Sequence, residues 1–435
     1  MTASDATSRD GQAVPQVSLT KLLTGVVIVA GFAELAYIIV NLSAMPVYIR
    51  ALGLGRSWVG IVGTVYLLTE ASLKSPFGVL GDRVGRKFLI LAGPVISIFT
   101  AALTPFVANP YGLVLLRIAD GMGAAALWPS CFSVIGDFVP EARRGAAMSM
   151  FNLAYIMGIA LGPAIGGNVD DWAQVHFHLS AAASKNASFF VASALFAVTA
   201  IAVLALIPRQ PHYGSRPADA GEAAFSLRDF RTMLSRIPAN LALAFVTFLG
   251  IGLVMLYVKI YAMEPGGPFH MTERLFGNLM VVPALVIALL SVPLGSLGDR
   301  VGKAIAVRCG VGLCVIAFWL LMLFPSRYML VICGAAIGLG FVVAFPAWMA
   351  IVSALCHERQ RGAANGAVGT AQGLGAIIGA AASVPLYSLG AFHVGHLTVP
   401  AHVVPFIGCG VILTGAFFIA LFAIHDRPAS RPVTS

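Results

Sequence analysis

Long hydrophobic blocks alternate with short polar gaps along the whole chain. A membrane-spanning helix needs about 20 predominantly apolar residues, and twelve blocks reach that length. They lie at about residues 22–46, 57–80, 88–108, 111–135, 145–167, 187–207, 239–262, 275–297, 304–324, 327–352, 363–390 and 403–424. The pattern predicts an all-α integral membrane protein with twelve transmembrane helices.

The longest polar gap falls between the sixth and seventh blocks. It is rich in Arg, Asp, Pro and Gly, and its segment 226–231 is a candidate for a short surface helix. The gap divides the blocks into two sets of six. We therefore predict an N-terminal half at residues 1–207, a cytoplasmic linker at 208–238 and a C-terminal half at 239–435.

Composition excludes the soluble classes of protein. Apolar residues make up 59% of the 435-residue chain and charged residues only 10%, whereas soluble domains carry about 25% charged residues. The net charge of +9 does not indicate nucleic-acid binding, because the basic residues lie in the gaps between blocks and form no basic tail. We expect no cofactor and no metal, because the cysteines and histidines lack ligand spacing and no nucleotide-binding glycine loop is present.

The distribution of Lys and Arg predicts the orientation in the membrane. With both termini in the cytoplasm, the inner segments carry nineteen basic residues and the outer loops carry five. Because basic residues are enriched in cytoplasmic loops, we predict cytoplasmic N- and C-termini. The first block lacks a small-residue cleavage pattern, so we expect no cleavable signal peptide. Short tails are typical of a bacterial inner membrane protein.

The two halves repeat each other at a constant offset of 217 residues. The sequence G-V-L-G-D-R-V-G-R-K at 78–87 recurs as G-S-L-G-D-R-V-G-K at 295–303, and the R-G-A-A segment at 144–147 recurs at 361–364. Six helices were therefore duplicated. Two parallel six-helix halves imply a substrate site between them, near the middle of the bilayer.

These motifs resemble those of the major facilitator superfamily, and in particular its twelve-helix drug:proton antiporters. The loop after the second helix is similar to the family signature almost throughout. In the fourth helix, Arg117, Asp120, Gly121 and Gly123 resemble a second family motif, with Asp120 where Gln is common. The resemblance covers essentially the whole chain and implies two six-helix halves that work by alternating access.

The fifth helix resembles the motif of the family's exporters and antiporters. Its residues are Gly158, Gly162, Pro163, Gly166 and Gly167. Glycines at this spacing commonly only allow close helix packing, whereas Pro163 removes a helix hydrogen bond and provides a kink. Two interpretations therefore stay open, close packing alone and a packed hinge that limits leakage between two states.

By resemblance, the signature loop belongs to a cytoplasmic gate. Asp82 is placed where it could meet the positive start of another helix, which by resemblance is the start of the eleventh helix near Arg361. The simpler alternative is a topology anchor, with the basic residues at lipid headgroups. The predicted gate motif comprises Gly78, Gly81, Asp82, Arg83, Gly85, Arg86, Lys87, Asp137, Asp299 and Arg300.

Ionisable residues within a span are costly and are therefore candidates for function. Glu34 lies in the middle of the first helix with no charged partner on that helix, and Tyr37 and Asn41 are predicted to share its face. A carboxylate that burial disfavours and a nearby cation favours can bind a proton in one conformation and release it in another. Glu34 is predicted to carry a proton, to be the counter-ion of a cationic substrate, or to do both in competition.

Two further charged pairs are candidates for proton coupling. Arg117 and Asp120 lie one turn apart in the fourth helix, and Glu70 and Lys74 lie four residues apart in the second. Each pair could instead be a structural ion pair, and Lys74 could extend towards the cytoplasmic face.

The C-terminal half is expected to supply an apolar wall. Lys259 and Glu264 lie near the outer end of the seventh helix, and no other charged residue lies deep in the last six predicted spans. An apolar pocket with a few polar groups suits a hydrophobic or amphipathic substrate. The predicted substrate cavity comprises Glu34, Tyr37, Asn41, Tyr257, Trp348 and Gln372.

We therefore predict a secondary active transporter, in the first place a proton-coupled exporter of lipophilic or cationic small molecules. One alternative is a proton-coupled uptake symporter or a facilitator for a small metabolite. An alternative of another class, a polytopic membrane enzyme or receptor, would need a catalytic residue set or a sizeable soluble domain, and neither is visible in the sequence. The expected partners are the substrate, protons and the lipid bilayer, and the expected state is a monomer.

Overall fold

The computed structural model describes residues 19–208, 227–264, 267–295, 297–356, 361–388, 392–394, 397–400 and 403–425. Nearly all of these residues are helical. The helices form two bundles that follow the two halves of the sequence.

The N-terminal half contains six long helical segments. The first begins as α1 (Leu19–Ile38), passes through a π-helical turn (Ile39–Ala44) and continues as α2 (Met45–Ala51). A 3-10 turn (Thr104–Phe106) follows the fourth helix of the chain. The remaining helices are α3 (Arg56–Val84), α4 (Arg86–Leu103), α5 (Pro110–Phe138), α6 (Glu141–His176) and α7 (Ala181–Leu206).

The C-terminal half follows the linker helix α8 (Leu227–Leu234), which confirms the short helix predicted there. An antiparallel hairpin of β1 (Phe392–Val394) and β2 (Leu397–Val399) lies before the last helix. The helices of this half are α9 (Pro238–Met255), α10 (Val258–Ala262), α11 (Glu273–Gly295), α12 (Leu297–Val301), α13 (Lys303–Leu323), α14 (Arg327–Leu355), α15 (Arg361–Ser388) and α16 (Val404–Ala423).

Eleven helical segments in the described part are long and apolar enough to cross a membrane. The predicted second span falls outside that count because α3 carries Glu70 and Lys74 along its middle. It is nevertheless a helix of 29 residues, about 43 Å long at a rise of 1.5 Å per residue, and it packs against α5 and α15. The all-helical fold of two six-helix halves is confirmed.

The internal repeat is visible in the backbone. Gly85, between α3 and α4, has a φ of 91° and a ψ of 133°. Gly302, which lies 217 residues later between α12 and α13, has a φ of 99° and a ψ of 137°. Glycine adopts a positive φ without the steric cost of a Cβ. The two signature loops therefore share one turn conformation.

The repeat also governs helix packing. A Cβ on Gly93 of α4 would lie 2.6 Å from the carbonyl oxygen of Gly123 in α5. A Cβ on the repeat-related Gly310 of α13 would lie 2.4 Å from the carbonyl oxygen of Gly340 in α14. Small residues allow such close backbone contact between membrane helices, and the duplication preserved it in both halves.

The two ends of the bundle differ in their loops. The signature end carries the turns at Gly85 and Gly302, and the hairpin end carries β1 and β2. In the described part of the chain, four helices begin at the hairpin end with a polar side chain that accepts a backbone N–H, namely those of Asn109, Ser180, Thr272 and Ser326. Such caps satisfy donors that a helix start leaves unpaired. The excess of basic residues predicts that the signature end is cytoplasmic.

Candidate functional site

A buried ion pair occupies the interior of the N-terminal half. Arg117 Nη1 lies 3.0 Å from Asp120 Oδ2, and both side chains are 1% exposed. Thr100 of α4 donates to Asp120 Oδ1 at 3.1 Å, and Arg117 Nη1 also donates to Asn41 Oδ1 at 3.3 Å. The one-turn pairing predicted from sequence is confirmed, and its contacts join α4, α5 and the π-helical turn that follows α1.

Arg117 keeps unused hydrogen-bonding capacity. Among the described residues, its buried Nε and Nη2 atoms have no partner. Leaving a buried donor unpaired costs about 1–3 kcal/mol, and more for a charged group. The guanidinium can therefore take a further acceptor when the surrounding helices or their protonation change.

Glu34 forms the second charged centre of this half. It is 5% exposed, and Tyr155 of α6 is its side-chain hydrogen-bond partner. Glu70 and Lys74 of α3 are near enough to interact with its charge. These two residues form the predicted i,i+4 ion pair, with Lys74 Nζ 2.8 Å from Glu70 Oε1. Glu34 itself has no ion pair within the described ranges, so its charge is the least compensated of the three carboxylates.

Tyr37 lies between the two charged centres. It is 2% exposed, its hydroxyl lies 3.0 Å from Ser97 Oγ, and its ring packs at 4.7 Å against Phe196 and at 6.3 Å against Tyr66. These contacts place Tyr37 in the packing of the N-terminal half, and its place in the substrate cavity stays a prediction. Its position among the charges of Glu34, Glu70 and Asp120 makes it part of the packing that separates them.

Asn41 also departs from the predicted stripe. It falls in the π-helical turn and accepts from Arg117, so it belongs to the ion-pair centre. A π-helical turn contains about one residue more than an α-helical turn. Asn41 is therefore rotated away from the face that contains Glu34. Single-turn π-bulges are common at functional sites.

The predicted cavity residues of the C-terminal half fall in different places. Trp348 is 5% exposed, and its Nε1 donates to Asn240 at 2.9 Å. Gln372 is half-buried, and its Nε2 has no partner in the described part of the chain. The Trp348 side chain borders an apolar pocket between α9, α13, α14 and α16. That pocket is also lined by Leu243, Phe248, Val311, Phe341, Phe345 and Leu413.

Tyr257 lies at the hairpin end, away from that pocket, and its role in the substrate cavity stays a prediction. It is fully buried, its ring stacks on Tyr387 at 3.9 Å, and its hydroxyl donates to the carbonyl of Arg56 at 3.4 Å. A Cβ on Gly60 of α3 would collide with the Tyr257 hydroxyl. Tyr257 therefore packs across the contact between the halves.

Polar contacts tie the two halves together at the hairpin end. Arg56 of α3 pairs with Glu264, which follows α10. Arg274 of α11 pairs with Asp171 of α6 at 3.1 Å, and Asn168 donates to Asn278 at 2.6 Å. The sequence analysis missed these contacts because the partners lie about 100 to 200 residues apart and no local spacing relates them.

A second set of contacts at this end is buried. Lys185 of α7 pairs with Glu273 at the start of α11. Lys259 of α10 lies 3.0 Å from Glu273 Oε2 and donates to the carbonyl and hydroxyl oxygens of Ser43. Lys259 is 1% exposed, so a cation predicted only to lie near the end of a span is enclosed between the halves.

The helices that touch at the hairpin end separate at the signature end. A Cβ on Gly60 of α3 would lie 2.4 Å from Val384 of α15. Gly78 and Gly366 lie eighteen residues from Gly60 and Val384 respectively, which is five helical turns and therefore the same face. Among the described residues, nothing lies within 4 Å of a Cβ at Gly78 or Gly366. Over about 27 Å of helix, α3 and α15 diverge towards the signature end.

The predicted gate motif is described only in part. Gly85 makes the turn, Lys87 donates to carbonyls at the end of α7, and Arg83 and Arg300 are exposed. These contacts tie α4 to α7 within one half. The side chains on which the proposed gate network depends fall outside the described part of the structure and are those of Asp82, Asp137, Asp299 and Arg361.

The glycine motif predicted in the fifth transmembrane helix lies in α6 and packs on two sides. Cβ atoms on Gly158 and Gly162 would collide with Glu34 and Ile38 of α1. On the other side, a Cβ on Gly167 would lie 2.7 Å from the carbonyl oxygen of Glu273 in α11. The motif therefore brings α6 into close contact both with its own half and with the other half.

Two repeated six-helix halves that touch at one end and diverge at the other are an architecture of membrane transporters. A family model for the Major Facilitator Superfamily matches residues 26–268 and 241–435. The chain belongs to the major facilitator superfamily, whose members are transporters and not enzymes.

Comparisons with individual proteins agree with this assignment. An MFS-type transporter of Methanocaldococcus jannaschii, MJ1560, is 24% identical over 344 residues, which cover 77% of this chain and 83% of that protein. The multidrug resistance protein MdtG of Escherichia fergusonii is 29% identical over 266 residues, or 59% of this chain and 61% of that protein. The crystal structure of the nucleoside transporter NupG matches with a TM-score of 0.71 at 13% identity and covers 94% of this chain and 100% of its own, which shows the fold alone.

Proposed function

We propose that this protein exports lipophilic or cationic small molecules across the bacterial inner membrane in exchange for protons. Its family establishes transport, and the direction, the coupling ion and the substrate class are the proposal. The observation that carries it is the buried charge centre of the N-terminal half, in which Glu34 lacks an ion pair among the described residues and Asp120 is paired with Arg117.

Glu34 is the proposed proton carrier. A buried carboxylate whose charge is not balanced by a contacting cation is the group that most readily exchanges that charge for a proton. Lys74, a cation whose charge acts on Glu34, is itself bound to Glu70 at 2.8 Å. A cationic substrate that approached Glu34 would stabilise the carboxylate and displace the proton. Binding of substrate and proton would then exclude each other, which is the requirement for exchange.

The C-terminal half supports the substrate class. Trp348 and the phenylalanine side chains around it line a small, mainly apolar pocket within the C-terminal half, to which Thr247 also contributes. Apolar pockets select for lipophilic groups, while a buried carboxylate in the opposite half selects for positive charge. The relatives named multidrug resistance proteins agree with this combination.

The arrangement of the halves supports alternating access. Contacts at the hairpin end seal one side, and the divergence of α3 and α15 leaves the signature end open. With the signature end in the cytoplasm, this conformation faces inwards and is able to collect substrate from the cytoplasm or the inner leaflet. Rocking of the halves about the central site would then expose the same site to the outside.

Proton release from the purified protein tests the proposal. A lipophilic cation that the protein binds is added to the protein in weakly buffered detergent solution. Binding should release protons from the wild type and not from Glu34→Gln. Asp229→Asn is the matched control, because Asp229 lies on the linker helix α8, apart from the charge centre and the contacts between the halves, and its loss should leave release unchanged. Release that persists in Glu34→Gln would refute the assignment of the carrier.

A growth-inhibition panel identifies the substrates. Expression in an efflux-deficient host should raise tolerance to lipophilic cations and leave growth on sugars and nucleosides unchanged. Proton movement in the same direction as the substrate would instead establish uptake by symport, the alternative that the sequence leaves open.

A further inference from the structure

Glu273 is the centre of the buried charge cluster at the hairpin end. One of its oxygens pairs with Lys185 of the N-terminal half and the other with Lys259 of its own half. The first pair exists only while the halves are in contact, whereas the second joins residues fourteen positions apart in one half. Separation of the halves at this end would therefore remove one of the two partners of Glu273.

Asp170 of α6 offers Lys185 another partner. Asp170 is 1% exposed, and its Oδ1 accepts from the backbone N–H and the hydroxyl of Ser188 in α7. Its buried Oδ2 has no partner within the described ranges. Ser188 lies one turn from Lys185 on the same helix face, and Lys185 is near enough to feel the charge of Asp170.

We propose that Lys185 exchanges Glu273 for Asp170 when the hairpin end opens. This inference rests on the proposed rocking of the halves. In the closed state, Lys185 spans the interface and leaves Asp170 Oδ2 unpaired. In the open state, Lys185 turns to Asp170, whose other oxygen Ser188 already holds in place.

The exchange removes the main electrostatic cost of opening. A buried charge left without a partner costs several kcal/mol, which would make opening rare if Lys185 and Glu273 simply lost each other. After the exchange, Asp170 and Lys185 balance in the N-terminal half, and Lys259 and Glu273 balance in the C-terminal half. Lys185 then has two arrangements of similar energy, paired with Glu273 or with Asp170, and the contact between the halves is bistable.

The alkylation rate of a cysteine placed where the two halves touch at the hairpin end reports the fraction of protein that is open at this end. Val384→Cys places a thiol where α15 meets Gly60, and a membrane-impermeant maleimide is applied to intact cells. Cells with the parent chain give the background, because Cys309 is the exposed native thiol in the described part. Glu273→Gln weakens the closed-state pair and should raise the alkylation rate about five-fold, whereas Asp170→Asn weakens the open-state pair and should lower it about five-fold.

A double-mutant cycle separates the exchange from a structural role of Asp170. The Asn side chain keeps the oxygen that accepts from Ser188, so Asp170→Asn should fold and insert normally. In a Lys185→Met background, both changes should alter the rate by less than about two-fold, because Lys185 is then absent from both states and the remaining pair of Glu273, with Lys259, lies within one half in either state. Equal directions for the two single variants, or an unchanged rate in Asp170→Asn, would overturn the exchange.

Gly277→Ala distinguishes failure of the exchange from failure of the rocking. A Cβ at Gly277 would lie 2.3 Å from the carbonyl oxygen of Pro163, so this variant should speed alkylation by forcing the halves apart. If it does not, the halves do not separate at this end, and both the exchange and the proposed alternating access are wrong. If Gly277→Ala speeds alkylation but Glu273→Gln and Asp170→Asn do not change the rate in opposite directions, only the exchange is wrong.

Discussion

Replacing Gly277 by alanine should shift the protein towards a state that is open at the hairpin end. The new Cβ would lie 2.3 Å from the Pro163 oxygen and 2.8 Å from Ala164 Cα. Because ordinary van der Waals contact begins near 3.4 Å, α6 and α11 must move apart by about 1 Å. Both opposing atoms are backbone, so no side-chain rotation relieves the overlap.

The expected size of the shift follows from that overlap. Overpacking of this kind costs about 1–3 kcal/mol. The cost applies to the closed state and disappears when the halves separate. Since about 1.4 kcal/mol changes an equilibrium tenfold, the ratio of open to closed protein should rise about 5- to 150-fold.

Gly366→Ala is the matched control for this prediction. Gly366 lies at the divergent end of α15, where a Cβ meets no described residue within 4 Å, so the same chemical change adds no strain to the observed state. Alkylation of Val384→Cys from outside the cell should therefore accelerate in Gly277→Ala and not in Gly366→Ala. An unchanged rate in a well-inserted Gly277→Ala protein would refute the reasoning that this helix contact holds the end closed.

Three further variants test separate parts of the account. Asp120→Asn should lower the free energy of unfolding by about 3 kcal/mol because it leaves Arg117 without its counter-charge, and an added Arg117→Met should recover part of that loss. A denaturant titration measures both effects. Equal stability of the wild type and Asp120→Asn would show that the ion pair does not stabilise the fold. Trp348→Ala should reduce tolerance to bulky aromatic compounds more than to small cations in a growth panel, and a uniform loss would argue against a substrate role of the apolar pocket. Asp82→Asn should leave membrane insertion intact while slowing transport several-fold, and unchanged initial rates would leave the signature loop as a topology anchor.

Local spacing in the sequence was enough to predict what a single helix determines. The pairs Arg117–Asp120 and Glu70–Lys74 form as expected because residues three or four apart on a helix are neighbours. The signature turns were also predictable, since a duplicated sequence at Gly85 and Gly302 produces the same backbone twice. These features need no knowledge of how the helices are arranged.

The remainder depends on tertiary packing that the sequence does not encode locally. Lys185 and Glu273 come together only because α7 and α11 meet across the two halves. Tyr37 shares a nominal helix face with Glu34, but that part of α1 is surrounded by other helices of its own half. Asn41 falls beyond the start of a π-turn, where the usual 3.6-residue period no longer predicts direction.

Substrate transport against an imposed proton gradient tests the central claim most directly. Inside-out membrane vesicles or proteoliposomes with an acidic interior should accumulate a lipophilic cation through this protein and lose the accumulation when the gradient is collapsed. The Glu34→Gln variant has no carboxylate to exchange a proton for the cation and should therefore fail to accumulate it. Accumulation driven equally well without a gradient, or retained in Glu34→Gln, would contradict proton-coupled export through this carboxylate.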